Sequence, residues 1–118
     1  MARILLIDDD ADIRKLLLKA LKTAGHNVAE APNGREGIAL YQEHPADLVI
    51  TDLFMPEKDG YEVIKDILRD YPTANIISMT DGGGDDCVRA RELGAVRTFV
   101  KPFPEQELLD AVEEVLDE

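Results

Sequence analysis

Several things are scarce in this chain, and each scarcity narrows what it can be. Among 118 residues there is one cysteine, Cys87, and no tryptophan. A lone thiol can neither close an intrachain disulfide nor build a metal knuckle, so a reducing, cytoplasmic setting is expected. No apolar run approaches the roughly 20 residues that a helix needs to cross a bilayer, and no membrane association is expected. The opening MARILLIDDD turns acidic after a very short apolar stretch and does not make a signal peptide. Positive charge is scarce too: 13 Lys and Arg stand against 25 Asp and Glu, a formal net charge of −12. Phosphate backbones are held by Lys and Arg, so direct nucleic-acid binding is not expected. An acidic surface instead favours solubility and docking to basic partners, and a local concentration of acids can mark a cation site.

What is present describes a globular protein. A hydrophobic fraction of 45% and a charged fraction of 32% suit a packed domain, and the length suits a single one over residues 1–118. RILLI at Arg3–Ile7 is an apolar run bounded by acids, the pattern of a buried strand. From Asp12, the residues Ile13, Leu16, Leu17, Ala20, Leu21 and Ala24 recur at helical spacing, and Gly25 stands where that helix stops. NVAEA reads as a second strand, PNG as a turn, and Gly37–Glu43 as a helix that Pro45 prevents from continuing. DLVIT is a third strand, and Tyr61, Ile64, Ile67 and Leu68 mark a third helix. NIISM is a fourth strand, TDGGGDD a flexible loop, and Val88–Leu93 a short helix closed by Gly94. VRTFV is a fifth strand, and a last helix runs from about Pro104 to Leu116.

Five alternations of strand and helix, with continuous apolar strands and short connections, imply an α/β fold with a parallel sheet covered on both faces. Right-handed crossovers make it an open, doubly wound (βα)5 sandwich; a closed eightfold barrel needs about twice the length. Ligands in such folds bind beyond the carboxyl ends of the strands. There the sequence places Asp8, Asp9 and Asp10 after the first strand, Asp52 after the third, Thr80 after the fourth and Lys101 after the fifth. Singly, each has an ordinary reading: an acid caps a helix, Thr80 opens a turn, Lys101 is a solvated strand end. Together the acids repel one another unless a cation is present, and oxygen-only ligands suit Mg²⁺ (or Mn²⁺). His26 and His44 lie at no strand end and read as surface or packing residues, which disfavours zinc.

Four stretches in this order, LLIDDDADIRKLL, LVITDLFMPEKDGYE, IISMTD and FVKPF, resemble the receiver domain of two-component response regulators across essentially the whole chain. The resemblance implies a flavodoxin-like strand order 2-1-3-4-5. It implies that Asp52 is the phosphoacceptor nucleophile, attacking a phosphohistidine of a sensor histidine kinase or phosphotransfer protein to give an acyl phosphate. It further implies that Asp8, Asp9, Asp52 and the backbone carbonyl of Phe54 hold Mg²⁺, and that Thr80 and Lys101 contact the phosphoryl oxygens. Three carboxylates and a dianionic phosphoryl sum to about −5, against about +3 from Mg²⁺ and Lys101, so the metal is needed for the phosphoryl group to approach. Asp10 matches no ligand position and reads as a loop residue or helix cap. The switched output would reach a downstream protein or output domain. Such a protein is not a conventional enzyme; it accepts its own phosphoryl group and slowly loses it.

The chain departs from the family pattern in places. The position three before the strand-five lysine, commonly Tyr or Phe, is Thr98, and Phe99 should face the other side of the strand. Asp81 stands after Thr80, where a small residue is usual, and GGGDD is one residue shorter than usual, so a short or mobile fourth helix is expected. The last helix has acids and no Lys or Arg, which argues against a symmetric dimer through basic and acidic partners on that face, although Arg89, Arg91 and Arg97 are near. Arg14, Lys15, Lys19 and Lys22 offer a docking side for a kinase or a solvated face. Two other readings stand beside the switch. One is a degenerate receiver acting through protein contacts alone. The other is a Mg²⁺-dependent phosphohydrolase, which Phe54 disfavours because it replaces the second acid such enzymes carry two residues after the nucleophile.

Overall fold

The computed structural model describes residues 2–118. Strands and helices alternate: β1 (Arg3–Ile7), α1 (Ala11–Thr23), β2 (Asn27–Ala31), α2 (Gly34–Glu43), β3 (Leu48–Asp52), α3 (Gly60–Asp70), β4 (Ile76–Thr80), α4 (Gly84–Leu93), β5 (Arg97–Val100) and α5 (Glu105–Asp117). The strands form one parallel sheet in the order β2-β1-β3-β4-β5, as expected. Every residue of β3 and β4 is buried, as are Ile4–Ile7 of β1. That double-sided burial is why these strands read as unbroken apolar runs. β2, at the sheet's edge, has one buried residue, Ala31, and its sequence signal is correspondingly weak.

Alternation along the strands divides the core in two. Leu5, Ile7, Val49 and Ile76 pack with Tyr41, Ile64, Ile67 and Ala90 of α2, α3 and α4. Ile4, Leu6, Leu48, Ile50, Ile77 and Met79 pack with Leu17 and Leu21 of α1 and with Leu108, Val112 and Val115 of α5. Each fully buried aliphatic side chain contributes roughly 1.5–3 kcal/mol relative to exposure. The sheet is thereby rigid where it ends, which is what a site built on strand termini requires.

Two helices begin earlier than the sequence suggested. α2 starts at Gly34, not Gly37, because the Asn33 side chain accepts the Glu36 amide at 2.9 Å and caps the helix inside the PNG turn. A Cβ at residue 34 would sit 2.2 Å from the Lys58 carbonyl oxygen, so glycine is needed there for close approach. α4 starts at Gly84, not Val88, and its ten residues equal α2 in length, so it is not short. Asp85 and Asp86 lie in its first turn, where carboxylates complement the free amides of a helix N-terminus. β3 and β4 run through Asp52 and Thr80, which remain in register with Met79 and Val100.

Candidate functional site

Parallel strands deliver their last residues to one edge. Asp8 follows β1, Asp52 and Thr80 end β3 and β4, and Lys101 follows β5. The Lys101 amide donates to the Thr80 carbonyl at 2.7 Å, which extends the sheet and turns the lysine side chain back across the edge. Its Nζ reaches Asp8 Oδ2 at 3.2 Å and Asp52 Oδ1 at 3.3 Å. Asp8 is fully buried, Asp52 is 5% exposed and Asp9 is exposed. One carboxylate oxygen from each of Asp8, Asp9 and Asp52 lies within 4.8 Å of the others.

Backbone amides fix the two buried acids. Asp8 Oδ1 accepts the Asp10 amide at 2.9 Å, and Asp52 Oδ1 accepts the Leu53 amide at 3.1 Å. Asp10 plays a different part, since its side chain accepts the Asp12 and Ile13 amides and caps α1. Arg14, read from sequence as part of a basic face, instead donates to the Asp8 carbonyl at 2.7 Å and pairs with Glu30 at 2.9 Å. The other three basic residues of α1, Lys15, Lys19 and Lys22, are exposed around Leu16.

The charges do not balance. Burial pushes the Asp52 carboxyl up to about 6, with Lys101 opposing the rise and Asp8 and Asp9 adding to it. Burial also raises Asp8, against the Asp10 amide and Lys101. For Lys101, burial favours the neutral amine, but Asp52 and Asp8 outweigh it and hold the ammonium above its ordinary range. One ammonium thus serves two buried carboxylates with a third at the rim, and the deficit is of positive charge. An all-oxygen donor set short of positive charge fits a hard divalent cation such as Mg²⁺. The histidines lie elsewhere: His26 meets Glu113 at 3.0 Å, and His44 ends α2.

Phe54 lies in the loop after β3, with its ring exposed and edge-on to Tyr61 at 5.9 Å. That loop turns through positive φ at Glu57 and Lys58 and enters α3 at a capping box formed by Asp59 and Glu62. The Gly60 amide donates to the Leu53 carbonyl at 2.8 Å, and a Cβ at residue 60 would sit 2.2 Å from the Asp52 carbonyl oxygen. The start of α3 is therefore seated directly against the backbone of Asp52.

The β4 side of the site brings in a residue that the sequence reading did not name. The acid that meets Thr80 is Asp86, whose Oδ2 accepts the Thr80 hydroxyl at 3.2 Å. Asp81, the neighbour in sequence, is exposed. Tyr61 donates its hydroxyl to Asp86 Oδ1 at 3.3 Å, and the Arg89 guanidinium lies 4.4 Å over the Tyr61 ring. Sequence reasoning missed Asp86 by assigning it to a flexible loop; two acids directly after a glycine run were the available signal for a helix start. Thr98 accepts a hydrogen bond from Arg91 at 3.3 Å, while Phe99 packs on Phe103 in the core of the opposite face. Arg97 pairs with Glu114 and Glu118, so each of the three arginines near α5 has a partner within the chain.

Comparison with known proteins points one way. A family model described as the response regulator receiver domain matches residues 4–113. The chemotaxis protein CheY of Thermotoga maritima is 38% identical over 115 residues, covering 96% of this chain and 96% of that protein. A probable transcriptional regulator, ycf27 of Guillardia theta, is 37% identical over 114 residues, covering 97% of this chain but 45% of that protein. The chain thus spans about half the length of that transcriptional regulator. In structure, the chemotaxis protein CheY4 of Vibrio cholerae superposes with a TM-score of 0.90 at 31% identity, covering 98% of both chains.

Proposed function

The chain belongs to the response regulator receiver domain family of two-component systems, and on that premise we propose that Asp52 is its phosphoacceptor. The observation that carries this reading is the Lys101 ammonium held between two buried carboxylates at the strand ends, 3.2 Å from Asp8 and 3.3 Å from Asp52. In the reaction, an Asp52 carboxylate oxygen attacks the phosphorus of a phosphohistidine. The P–N bond breaks as the O–P bond forms, and the imidazole takes up a proton. Asp8 orients the Lys101 ammonium, which then contacts a phosphoryl oxygen. The Leu53 amide holds the Asp52 carboxylate in place. The Thr80 hydroxyl donates to a second phosphoryl oxygen.

Asp8, Asp9, Asp52 and the Phe54 carbonyl would hold Mg²⁺ or Mn²⁺. When bound there, the cation supplies the positive charge that three acids and a phosphoryl group require. Water later attacks the acyl phosphate and resets the domain, a slow self-dephosphorylation. The donor is a sensor histidine kinase or a phosphotransfer protein, met through the exposed face of α1 around Leu16, Lys15, Lys19 and Lys22. The phosphorylated domain acts on a downstream protein or output domain. A cytoplasmic location belongs to the same reading; among the described residues no helix is long and apolar enough to cross a membrane.

Incubation with Mg²⁺ and phosphoramidate, followed by intact mass, tests the reading. One added phosphate that disappears in Asp52→Asn is the expected result. A protein that takes up none is instead a degenerate receiver, a reading that Thr98 in place of the usual aromatic favours. Rapid turnover of many phosphoesters would make it a hydrolase.

A further inference from the structure

We infer that Asp86 is a positioning residue of the phosphoryl site: it holds the Thr80 hydroxyl proton that an arriving phosphoryl group must take. The inference rests on the reading of Asp52 as phosphoacceptor, and it concerns a side chain outside the set at the strand ends. Thr80 is fully buried, so its hydroxyl must keep a partner. That hydroxyl has one proton to donate and gives it to Asp86 Oδ2 at 3.2 Å. Its oxygen accepts the Gly82 amide at 3.0 Å, which fixes the rotor. A hydroxyl so engaged cannot donate to a phosphoryl oxygen as well, so Asp86 and the phosphoryl group compete for one proton.

The surroundings are shaped to keep Asp86 there. A Cβ added at Gly82 would lie 1.7 Å from Asp86 Oδ2, so glycine leaves the space that the carboxylate fills. Tyr61, 5% exposed at the start of α3, donates to the other carboxylate oxygen at 3.3 Å. Arg89, three residues after Asp86 on α4, lies 4.4 Å over the Tyr61 ring. Asp86 sits in the first turn of α4, so the Thr80 proton is part of what secures that turn. When the Thr80 hydrogen bond turns to the phosphoryl group, the Asp86 carboxylate keeps the Tyr61 hydroxyl alone of these two donors, and the first turn of α4 is held differently. The chain thereby has a route from Thr80 to α4 through Asp86 and Tyr61, in a protein whose Thr98 cannot serve as an aromatic rotor.

Phosphoramidate uptake with Mg²⁺, read by intact mass against time, tests this in four variants. Asp86→Ala frees the Thr80 hydroxyl and should speed uptake about fivefold, the worth of one net hydrogen bond. Gly82→Ala should do the same by displacing the carboxylate while keeping its charge. Asp86→Asn retains an acceptor oxygen and should stay within about twofold of the parent. Asp86→Ala should give no acceleration in a Thr80→Ala background. Equal acceleration by Asn and Ala, or acceleration that survives Thr80→Ala, would show that charge alone acts and would overturn the inference. Amide hydrogen exchange of the unphosphorylated protein gives a readout independent of phosphate chemistry. Gly82 should exchange faster in Asp86→Ala, because the Thr80 oxygen that holds its amide is released; an unchanged rate overturns the inference. If the parent takes up no phosphate, the phosphoacceptor reading fails while the exchange measurement still decides on Asp86.

Discussion

The two halves of the site solve opposite problems. At β1 and β3, buried acids outnumber the cation: Lys101 is shared between Asp8 and Asp52, and the Asp52 carboxyl is pushed up to about 6 by burial. At β4 and α4, a neutral hydroxyl is already satisfied, since Thr80 donates to an acid on one side and accepts from an amide on the other. The first half is electrostatically incomplete and the second is closed on itself. A deficit of positive charge favours a cation, on which the proposed approach of a phosphoryl group depends, whereas a satisfied hydrogen bond must be broken before it can respond. On the proposed reading, the first half recruits the cation and the second half reports phosphorylation.

The contrast predicts unequal costs. Lys101→Ala removes the ammonium shared by Asp8 and Asp52 and should slow phosphoramidate uptake about 100-fold, the scale of a lost preorganised electrostatic contact. Thr80→Ala removes one hydroxyl and should cost about tenfold in the same assay. Equal losses would break the distinction between the halves. Gly60→Ala next puts a methyl against the Asp52 carbonyl and should lower unfolding free energy by about 2–3 kcal/mol, measured by denaturant titration.

Asp52→Asn sharpens the comparison from the side of stability. Because folding raises the Asp52 pKa from 3.8 to about 6, the folded state retains a proton that the unfolded chain loses between those values. The contribution of Asp52 to stability therefore falls as pH rises through that window. In metal-free buffer at pH 7, Asp52→Asn should be more stable than the parent by about 1–2 kcal/mol, with the gap closing toward pH 4. Added Mg²⁺ should stabilise the parent and not the variant. No gap at pH 7 would mean that Lys101 already compensates the charge. The smallest effect belongs to Asp81→Ala. Asp81 stands next to Thr80 in sequence, but its exposure leaves it screened, and the acceleration should stay within about twofold.

Legibility in the sequence followed the same division. The recruiting half could be read because a strand-like run that stops on a charged residue is conspicuous, and Asp8, Asp52 and Lys101 each end such a run. The reporting half could not. Gly82 looked like a source of flexibility, whereas in the fold it provides room for a carboxylate. Tyr61 looked like one of several apolar markers of α3, whereas its hydroxyl faces Asp86 across 25 positions of sequence. Arg14 likewise looked like a surface charge until folding brought it to the Asp8 carbonyl.

The sequence by itself determined the alternation of elements, the parallel sheet and the identity of the acids at its edge. Those features depend on local periodicity and on where apolar runs end, which a linear reading contains. Only the tertiary structure decided which acid each polar group meets. A hydrogen bond is set within a few tenths of an ångström by the packing of whole elements. The choice of Asp86 over Asp81 as the partner of Thr80 depended on where α4 begins and how α3 lies beside it.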